Sequence, residues 1–298
     1  MTRKLFGTTL IALIGALTVW YLFFALKAEP IPQPQIIAAY DYEPPTDIDM
    51  RLEAIGDGKF SFSFRSFDGA LVNGQISYPP SRQEKHPVLI GISAMGRGYQ
   101  RWWTDSFKER PTVTRVNEIT ELATDRGYAV IAIDARFHGT RKDPDRPLRS
   151  IMNDLHFFGD KTDYENMIRK TVLDYRVLLD WISDQPTLDS DRVTAVGYSM
   201  GAQVGLLLSA LDQRVGQLVA MVPPHIDDKT ALVAPKNLAS LIDEPRVLLV
   251  TANEDEYASA ADNRALFLAI ASENKEQLAF DSGHILPADY VDALTQWL

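Results

Sequence analysis

Short apolar runs alternate with amphipathic helical stretches along most of the chain, and this alternation restricts the possible folds most strongly. Because such runs suit strands that are buried on both faces, the pattern predicts an α/β fold with a mostly parallel sheet flanked by helices. The predicted strands are Val88–Ile92, Tyr128–Ile133, Val193–Val196, Gln217–Val222, Arg246–Thr251 and Gln277–Phe280. The predicted helices are Thr112–Arg126, Tyr164–Ser183, Met200–Leu211, Ala258–Ser272 and Pro287–Leu298.

Two further strands, Phe60–Arg65 and Leu71–Tyr78, precede this region as a hairpin. The Asp68-Gly69 pair between them is typical of a turn. In a parallel sheet, reactive side chains gather at the carboxyl ends of the strands, so candidate site residues are sought there.

The N-terminal segment, residues 1–28, contains an uncharged stretch from Leu5 to Leu26, preceded by Arg3 and Lys4. Its length matches the roughly 20 residues that a helix needs to span a bilayer. It therefore predicts a single-pass membrane anchor with the remaining chain on the extracytoplasmic side, periplasmic or extracellular. The alternative is a signal peptide cleaved after Ala28, which would release a secreted protein. Leu26 disfavours that alternative because it occupies a position where cleavage sites usually have a small residue.

Residues 29–50 contain five prolines, at positions 30, 32, 34, 44 and 45. Proline at this density favours an extended, semi-rigid chain, so the segment is interpreted as a linker between the membrane and a catalytic domain. Residues 51–298 form that predicted domain.

Composition excludes several classes of function. The formal net charge of −10 and the absence of a long basic run argue against a nucleic-acid partner. With no cysteine, the chain has no disulfide and no thiolate metal ligand. The five histidines show no His-x-x-x-His spacing, so neither a metal nor another cofactor is expected.

The strongest motif is Gly197-Tyr198-Ser199-Met200-Gly201, which follows a predicted strand and opens a predicted helix. A G-x-S-x-G turn between strand and helix lifts the serine hydroxyl to an exposed tip, and glycines avoid clashes where the two elements cross. Ser199 is therefore the candidate nucleophile, the alternative being a structural serine in a glycine-rich turn.

From about Phe60 to Leu298 the chain resembles the α/β-hydrolase superfamily, and within it the esterase and dienelactone-hydrolase-like branch. The resemblance implies an acid a few residues after a late strand, where Asp255 matches best and Glu254 is the alternative. It also implies a histidine after the last strand, which is His284. His284 would act as general base for Ser199, while Asp255 would orient the imidazole and stabilise its charged form.

An oxyanion hole needs two N–H donors. The resemblance assigns one donor to the backbone of Met200 and the other to the loop after Val88–Ile92. Related proteins often have His-Gly in that loop, whereas this chain has Ser93-Ala94. Met95 is the favoured second donor and Ala94 the alternative.

Three segments were considered as walls of a substrate pocket. Tyr99, Trp102 and Trp103 line the pocket or pack on the domain surface. Residues 136–158, which include His138, form either a flexible rim or a solvated loop of mixed charge. Residues 223–245 lie where related enzymes have a cap, but the segment is too short for a large lid.

The predicted function is hydrolysis of small-molecule carboxylic esters through an acyl-enzyme intermediate. The same catalytic machinery would serve a serine peptidase acting on short peptides. A binding scaffold without activity is the third possibility. Neither the oligomeric state nor the acyl length of the substrate follows from the sequence.

Overall fold

The computed structural model describes residues 2–80 and 84–298, with side chains from residue 13 onward. Nine strands of these ranges form the main sheet: β1 (Arg51–Gly56), β2 (Lys59–Arg65), β3 (Leu71–Ser77), β4 (His86–Ile92), β5 (Ala129–Ile133), β6 (Leu188–Tyr198), β7 (Val215–Met221), β8 (Arg246–Ala252) and β9 (Lys275–Phe280). The α-helices are α1 (Thr2–Phe23), α2 (Gln33–Ala38), α3 (Val116–Asp125), α4 (Leu148–Asn153), α5 (Thr162–Ser183), α6 (Met200–Leu211), α7 (Ala260–Ala269) and α8 (Tyr290–Ala293).

The strands lie in the order β1-β2-β3-β5-β4-β6-β7-β8-β9. All neighbours from β5 to β9 along this order pair in parallel, and β1, β2 and β3 extend the sheet with antiparallel pairs. The predicted mostly parallel sheet is therefore confirmed. The edge strand β1 was not predicted, because its side chains are exposed and carry no apolar period.

Helices cover both faces of the sheet. On β4, Val88 and Ile90 belong to the core that packs against α5 and α6, whereas Leu89 belongs to the core on the opposite face, against α3 and α8. Successive side chains of a strand point to opposite faces, so a strand buried on both faces must be apolar throughout. That requirement explains the continuous apolar runs in the sequence.

Three predicted helices are shorter in the structure, among them α7, which spans Ala260–Ala269 rather than Ala258–Ser272. The chain before α3 adopts a left-handed conformation at Arg115, with φ of 50°, so the helix begins at Val116 rather than at Thr112. After Pro287 the backbone bonds are mostly to the third residue back, as from Trp297 to Leu294, which gives tight turns around the four-residue α8. Trp297 is nonetheless buried, so the C-terminal segment packs against the sheet, as was expected of a helix at this place.

The proline-rich segment 29–50 differs from the extended linker that was predicted. Residues 33–38 form the short helix α2, and Ile36 and Tyr40 are fully buried in the main core. The Tyr40 hydroxyl donates to the Leu232 carbonyl oxygen at 3.1 Å. Proline composition predicts local stiffness but not these long-range contacts. The domain boundaries at residues 28 and 50 stay predictions.

The N-terminal helix α1 contains most of the predicted anchor, Leu5–Leu26. The side chains of residues 5–12 lie outside the described residues, as do those of Arg3 and Lys4. Among the helices of the described part of the chain, none is both long and apolar enough to cross a bilayer.

A buried cluster of charges fixes the segment after β5 onto α5. The fully buried carboxylate of Asp174 accepts hydrogen bonds from Arg136 at 2.6 and 2.8 Å and from Arg141 at 2.7 Å. Arg136 also forms a two-bond ion pair with Asp68 at 2.9 Å. A solvated loop is therefore the wrong interpretation for Arg136 and Arg141, whereas Lys142, Asp143 and Asp145 are exposed as that interpretation predicts.

We expect Asp174→Asn to lower the free energy of unfolding by about 3–5 kcal/mol, because the largely buried Arg141 would lose its carboxylate partner and Arg136 would lose one of its two. Chemical denaturation followed by circular dichroism measures this change. Asp49→Asn is the matched control, since its ion pair with Arg51 is exposed to solvent and should contribute at most about 1 kcal/mol. Equal effects of the two substitutions would contradict the structural role of Asp174.

Candidate active site

Ser199 lies at the turn between β6 and α6, at the carboxyl edge of the sheet. Its φ of 57° is a left-handed conformation that a non-glycine residue rarely adopts. The flanking glycines make this turn possible. A Cβ atom on Gly197 would lie 2.2 Å from the Gly201 carbonyl oxygen, and one on Gly201 would lie 2.1 Å from that of Ile92. Both distances are shorter than any real carbon contact, so these positions require glycine.

The structure brings the three predicted catalytic side chains together. His284 Nε2 lies 2.8 Å from Ser199 Oγ, and His284 Nδ1 lies 3.0 Å from both carboxylate oxygens of Asp255. The Asp255 side chain is 1% exposed and that of His284 is 14% exposed. A buried carboxylate on Nδ1 holds the tautomer in which Nε2 can accept a proton from the serine.

The two acids beside Asp255 have different environments. Glu254 is exposed to solvent. Glu256 accepts a hydrogen bond from the backbone N–H of His284 at 3.0 Å, and its pKa is lowered by backbone N–H bonds, its own and that of His284. Glu256 therefore supports the histidine loop without contacting the imidazole nitrogens. Only Asp255 has the position that the acid requires.

Tyr198 is a second support of the histidine loop that the sequence analysis missed. Its hydroxyl donates to the His284 carbonyl oxygen at 2.8 Å and accepts from the Leu286 N–H at 2.9 Å. Burial raises the pKa of Tyr198 to about 12, so the hydroxyl remains a donor at neutral pH. Tyr198 occupies a variable position of the G-x-S-x-G motif, so the motif did not indicate this contact.

Both candidates for the second oxyanion donor lie at the site. Ala94 and Met95 line the same cavity as Ser199 and Met200. The backbone N–H of Met200 follows the nucleophile directly, as the predicted donor should. The choice between Met95 and Ala94 stays open.

The loop that carries Ala94 and Met95 is held in place by the fully buried Asp134. Its carboxylate accepts hydrogen bonds from the Tyr99 N–H at 3.0 Å and from the N–H and hydroxyl of Thr140 at 2.7 and 2.8 Å. Gly98 and Gly139 allow this close approach, since a Cβ atom on either would lie within 3.0 Å of the carboxylate. The predicted oxyanion loop, which follows β4, is thus fixed to the end of β5.

A cavity of about 690 Å³ opens at Ser199 and His284. This volume is in the range of small-molecule sites. The residues that line it around the nucleophile and base come from several loops and from α5 and α6: Leu26, Ala94, Met95, Arg97, Val113, Thr114, Met152, Leu155, His156, Tyr164, Tyr198, Met200, Gln203, Pro224, His225, Ile226, Asp227, Lys229, Thr230, Tyr257 and Ile285.

The aromatic residues considered as pocket walls do not line this cavity. Trp102 is fully buried and donates to Ser93 Oγ at 3.2 Å. Trp103 donates to Ser77 Oγ, and its ring packs edge-on against Tyr99. Their role is packing, which was the alternative interpretation.

The cavity walls come instead from segments with weaker sequence signals. Met152 and Leu155, from the insert after β5, line one side, so the rim interpretation holds for this later part of residues 136–158. Residues 224–230, within the short segment between β7 and β8, form another side. One polar wall combines Tyr164 and the fully buried Gln203, whose side chains share a 3.2 Å hydrogen bond.

Metal ligands are not grouped in the described part of the chain: it holds no cluster of three or more histidine and carboxylate side chains suited to a metal ion. His138 is fully buried, donates from Nδ1 to the Arg136 carbonyl oxygen at 2.7 Å, and does not line the cavity. Burial lowers its pKa to about 4, so it stays neutral. His138 is a structural residue.

Comparison with known proteins gives a match to a family model and to solved structures. The model described as the alpha/beta hydrolase family matches residues 96–297. A search among curated proteins finds no significant match.

Three solved structures share the fold. Acetyl xylan esterase 1 from Thermoanaerobacterium sp. JW/SL YS485 is 20% identical, with a TM-score of 0.71 over 92% of this chain and 95% of that chain. The acetyl xylan esterase from Paenibacillus sp. R4 is 18% identical, with a TM-score of 0.70 over 91% and 96%. A protein from Klebsiella pneumoniae subsp. pneumoniae, described as a dienelactone hydrolase, is 16% identical, with a TM-score of 0.59 over 79% and 89%.

The contacts of the three neighbouring acids predict distinct effects of their amide substitutions. Asp255→Asn should lower kcat by up to about 10⁴-fold, because an amide favours the wrong imidazole tautomer. Glu254→Gln should stay within about threefold of the original, since water screens its exposed charge. Glu256→Gln keeps an oxygen that can accept the His284 N–H, so its effect should also be small. Steady-state kinetics on an activated ester measures all three.

Circular dichroism of each variant provides the folding control. A collapse of activity in Glu254→Gln, with Asp255→Asn nearly unaffected, would move the acid one residue upstream. Full activity in all three variants would contradict the arrangement of Asp255 and His284 as a working pair.

Proposed function

We propose that this chain, which belongs to the alpha/beta hydrolase family, hydrolyses carboxylic esters through an acyl-enzyme intermediate. The match over residues 96–297 confirms the family resemblance inferred from the sequence. The observation that carries the proposal is the continuous hydrogen-bonded chain from Ser199 through His284 to Asp255. Two proteins with a similar fold are acetyl xylan esterases, which supports ester chemistry for this fold.

In the proposed acylation step, Ser199 Oγ attacks the ester carbonyl carbon while its proton passes to His284 Nε2. Asp255 stabilises the imidazolium that forms. The oxygen of the tetrahedral intermediate carries a negative charge, which the N–H of Met200 and that of Met95 or Ala94 would stabilise. Each such donor typically contributes about 3–4 kcal/mol to lowering the barrier.

The intermediate then collapses, and the bond to the alcohol oxygen breaks as His284 returns its proton to that oxygen. A water molecule enters and gives a proton to His284 Nε2 while its oxygen attacks the acyl-serine. As the second intermediate collapses, its bond to Ser199 Oγ breaks, and His284 returns the proton to that oxygen. The carboxylic acid is released, and the Ser199 hydroxyl and the neutral imidazole are restored. No cofactor takes part in either half of this cycle.

We expect substrates with small or medium acyl groups. The cavity of about 690 Å³ holds both the acyl and the alcohol part of the ester, and the insert after β5 and the segment between β7 and β8 are short. The neighbours named as acetyl xylan esterases are consistent with short acyl groups.

Ser199→Ala should lower kcat on p-nitrophenyl acetate by about 10³-fold or more, because only binding and the oxyanion donors would remain. Ser282→Ala is the matched control: that hydroxyl lies near the site but contacts only the Gly283 carbonyl oxygen, so activity should be retained. A fluorophosphonate probe should label the original chain and Ser282→Ala but not Ser199→Ala. More than a tenth of the original activity in folded Ser199→Ala would exclude it as nucleophile.

The same assay separates the proposed activity from its alternatives. A panel of aminoacyl amides run beside the esters would reveal a peptidase by higher kcat/KM on the amides. An unlabelled, inactive but folded protein would indicate a binding scaffold.

For location, we infer a single-pass protein with an extracytoplasmic catalytic domain. Of the predicted anchor, residues 5–26, Trp20, Phe24 and Leu26 contact the domain, so the part before Trp20 would insert in the membrane. The support is the uncharged sequence behind Arg3 and Lys4, whose basic side chains favour the cytoplasmic side. Secretion after cleavage near Ala28 is the competing possibility.

Membrane fractionation distinguishes these possibilities. The full-length protein should sediment with membranes and resist carbonate extraction, because an inserted apolar helix is not released by disrupting electrostatic contacts. A soluble form whose sequence begins near Glu29 would contradict the anchor.

A further inference from the structure

Residues 20–29, which we term the strap, begin in the last turn of α1 and lie across one side of the domain. At its start, the Trp20 indole N–H donates to the Phe157 carbonyl oxygen at 2.8 Å. Further along, the ring of Phe24 packs edge-on against Phe158, with 6.4 Å between the ring centroids. The strap therefore rests on the π-helical turn that follows α4, the same insert that supplies Met152 and Leu155 to the cavity.

The far end of the strap is held by polar contacts. The Glu29 N–H donates to the Asp228 carbonyl oxygen at 2.9 Å, and its carboxylate pairs with Lys161 at 2.8 Å. Between the two ends, Gly159 adopts a left-handed φ of 66°, and a Cβ atom there would lie 2.4 Å from the Phe24 carbonyl oxygen. The absence of a side chain at Gly159 thus lets the strap backbone approach the domain closely.

The middle of the strap contributes Leu26 to the catalytic cavity. Leu26 lines the same space as Ser199 and packs against the main core, whereas Leu22, one turn earlier, is 61% exposed. We propose that Leu26 closes the acyl end of the cavity and limits the length of the acyl group. This proposal rests on the proposed ester hydrolysis.

The position of the base assigns Leu26 to the acyl side. His284 must protonate the departing alcohol oxygen, so the alcohol lies on the side of the histidine loop, which Ile285 and Tyr257 line. The Tyr257 ring packs directly against the imidazole, with centroids 4.6 Å apart. Leu26 lies beside the insert after β5, whereas the histidine loop follows β9. In the sheet, β5 and β9 lie on opposite sides of β6. The acyl group would therefore extend toward Leu26.

The test uses full-length variants and p-nitrophenyl esters from acetate to octanoate. Leu26→Ala removes an apolar wall, so kcat/KM for octanoate relative to acetate should rise about tenfold, the scale on which a pocket discriminates a methylene or two. Leu26→Trp fills the same space and should lower that ratio. Leu22→Ala, the matched control on α1, should leave it unchanged.

A second series keeps the acetyl group and varies the alcohol, from ethyl to hexyl, and should not respond to Leu26→Ala. If the alcohol series responds and the acyl series does not, the assignment to the acyl side is wrong. If neither series responds in folded, Ser199-dependent enzyme, the strap has no part in specificity, although ester hydrolysis itself stands. If the original chain hydrolyses none of the esters, the proposed function itself is contradicted.

Discussion

The close crossing of α6 over the end of β4 is the constraint on which the site depends. Gly201 brings the helix backbone against the Ile92 carbonyl, and Ser199 accepts an unfavourable left-handed φ at the turn. The same crossing brings the end of β4, with the predicted oxyanion loop, beside Ser199. Strain of this kind costs on the order of 1–3 kcal/mol and persists only where the surrounding structure fixes the backbone. The apolar sheet beneath the turn provides that rigidity.

Two buried carboxylates extend this rigidity to the loops that shape the cavity. Asp134 joins the loop after β4 to the segment after β5, because it accepts hydrogen bonds from the N–H of Tyr99 in the first and the N–H of Thr140 in the second. Asp174 fixes the segment after β5 through two arginines. Neither carboxylate lines the cavity, but each fixes a segment that does. Ala94 and Met95 belong to the first segment, and Met152 and Leu155 belong to the second. Buried charges of this kind are costly unless every partner is present, so they specify one loop arrangement.

Local patterns in the sequence predicted the parallel sheet, and for α6 both ends agree with the predicted Met200–Leu211. Apolar periodicity and glycine spacing are local properties, which explains this agreement. The contacts that complete the site are not local. Tyr198 and Glu256 reach the backbone of His284 across 86 and 28 residues, and Ile36 joins the core from a segment whose prolines suggested an exposed linker. No pattern within one segment carries that information.

The histidine loop also connects the site to the C-terminal segment. Tyr198 bonds the backbone at residues 284 and 286, and its ring packs edge-on against Tyr290 in α8. Beyond α8 the chain forms tight turns rather than regular helix. It is held by buried side chains such as Trp297 and by hydrogen bonds from Arg126, Gln217 and Arg246 to its carbonyl oxygens. Segments with so few regular backbone bonds open at lower free energy than the sheet. Local unfolding of these last residues would displace His284 while the sheet stays intact, so heat should inactivate the protein below its global melting temperature.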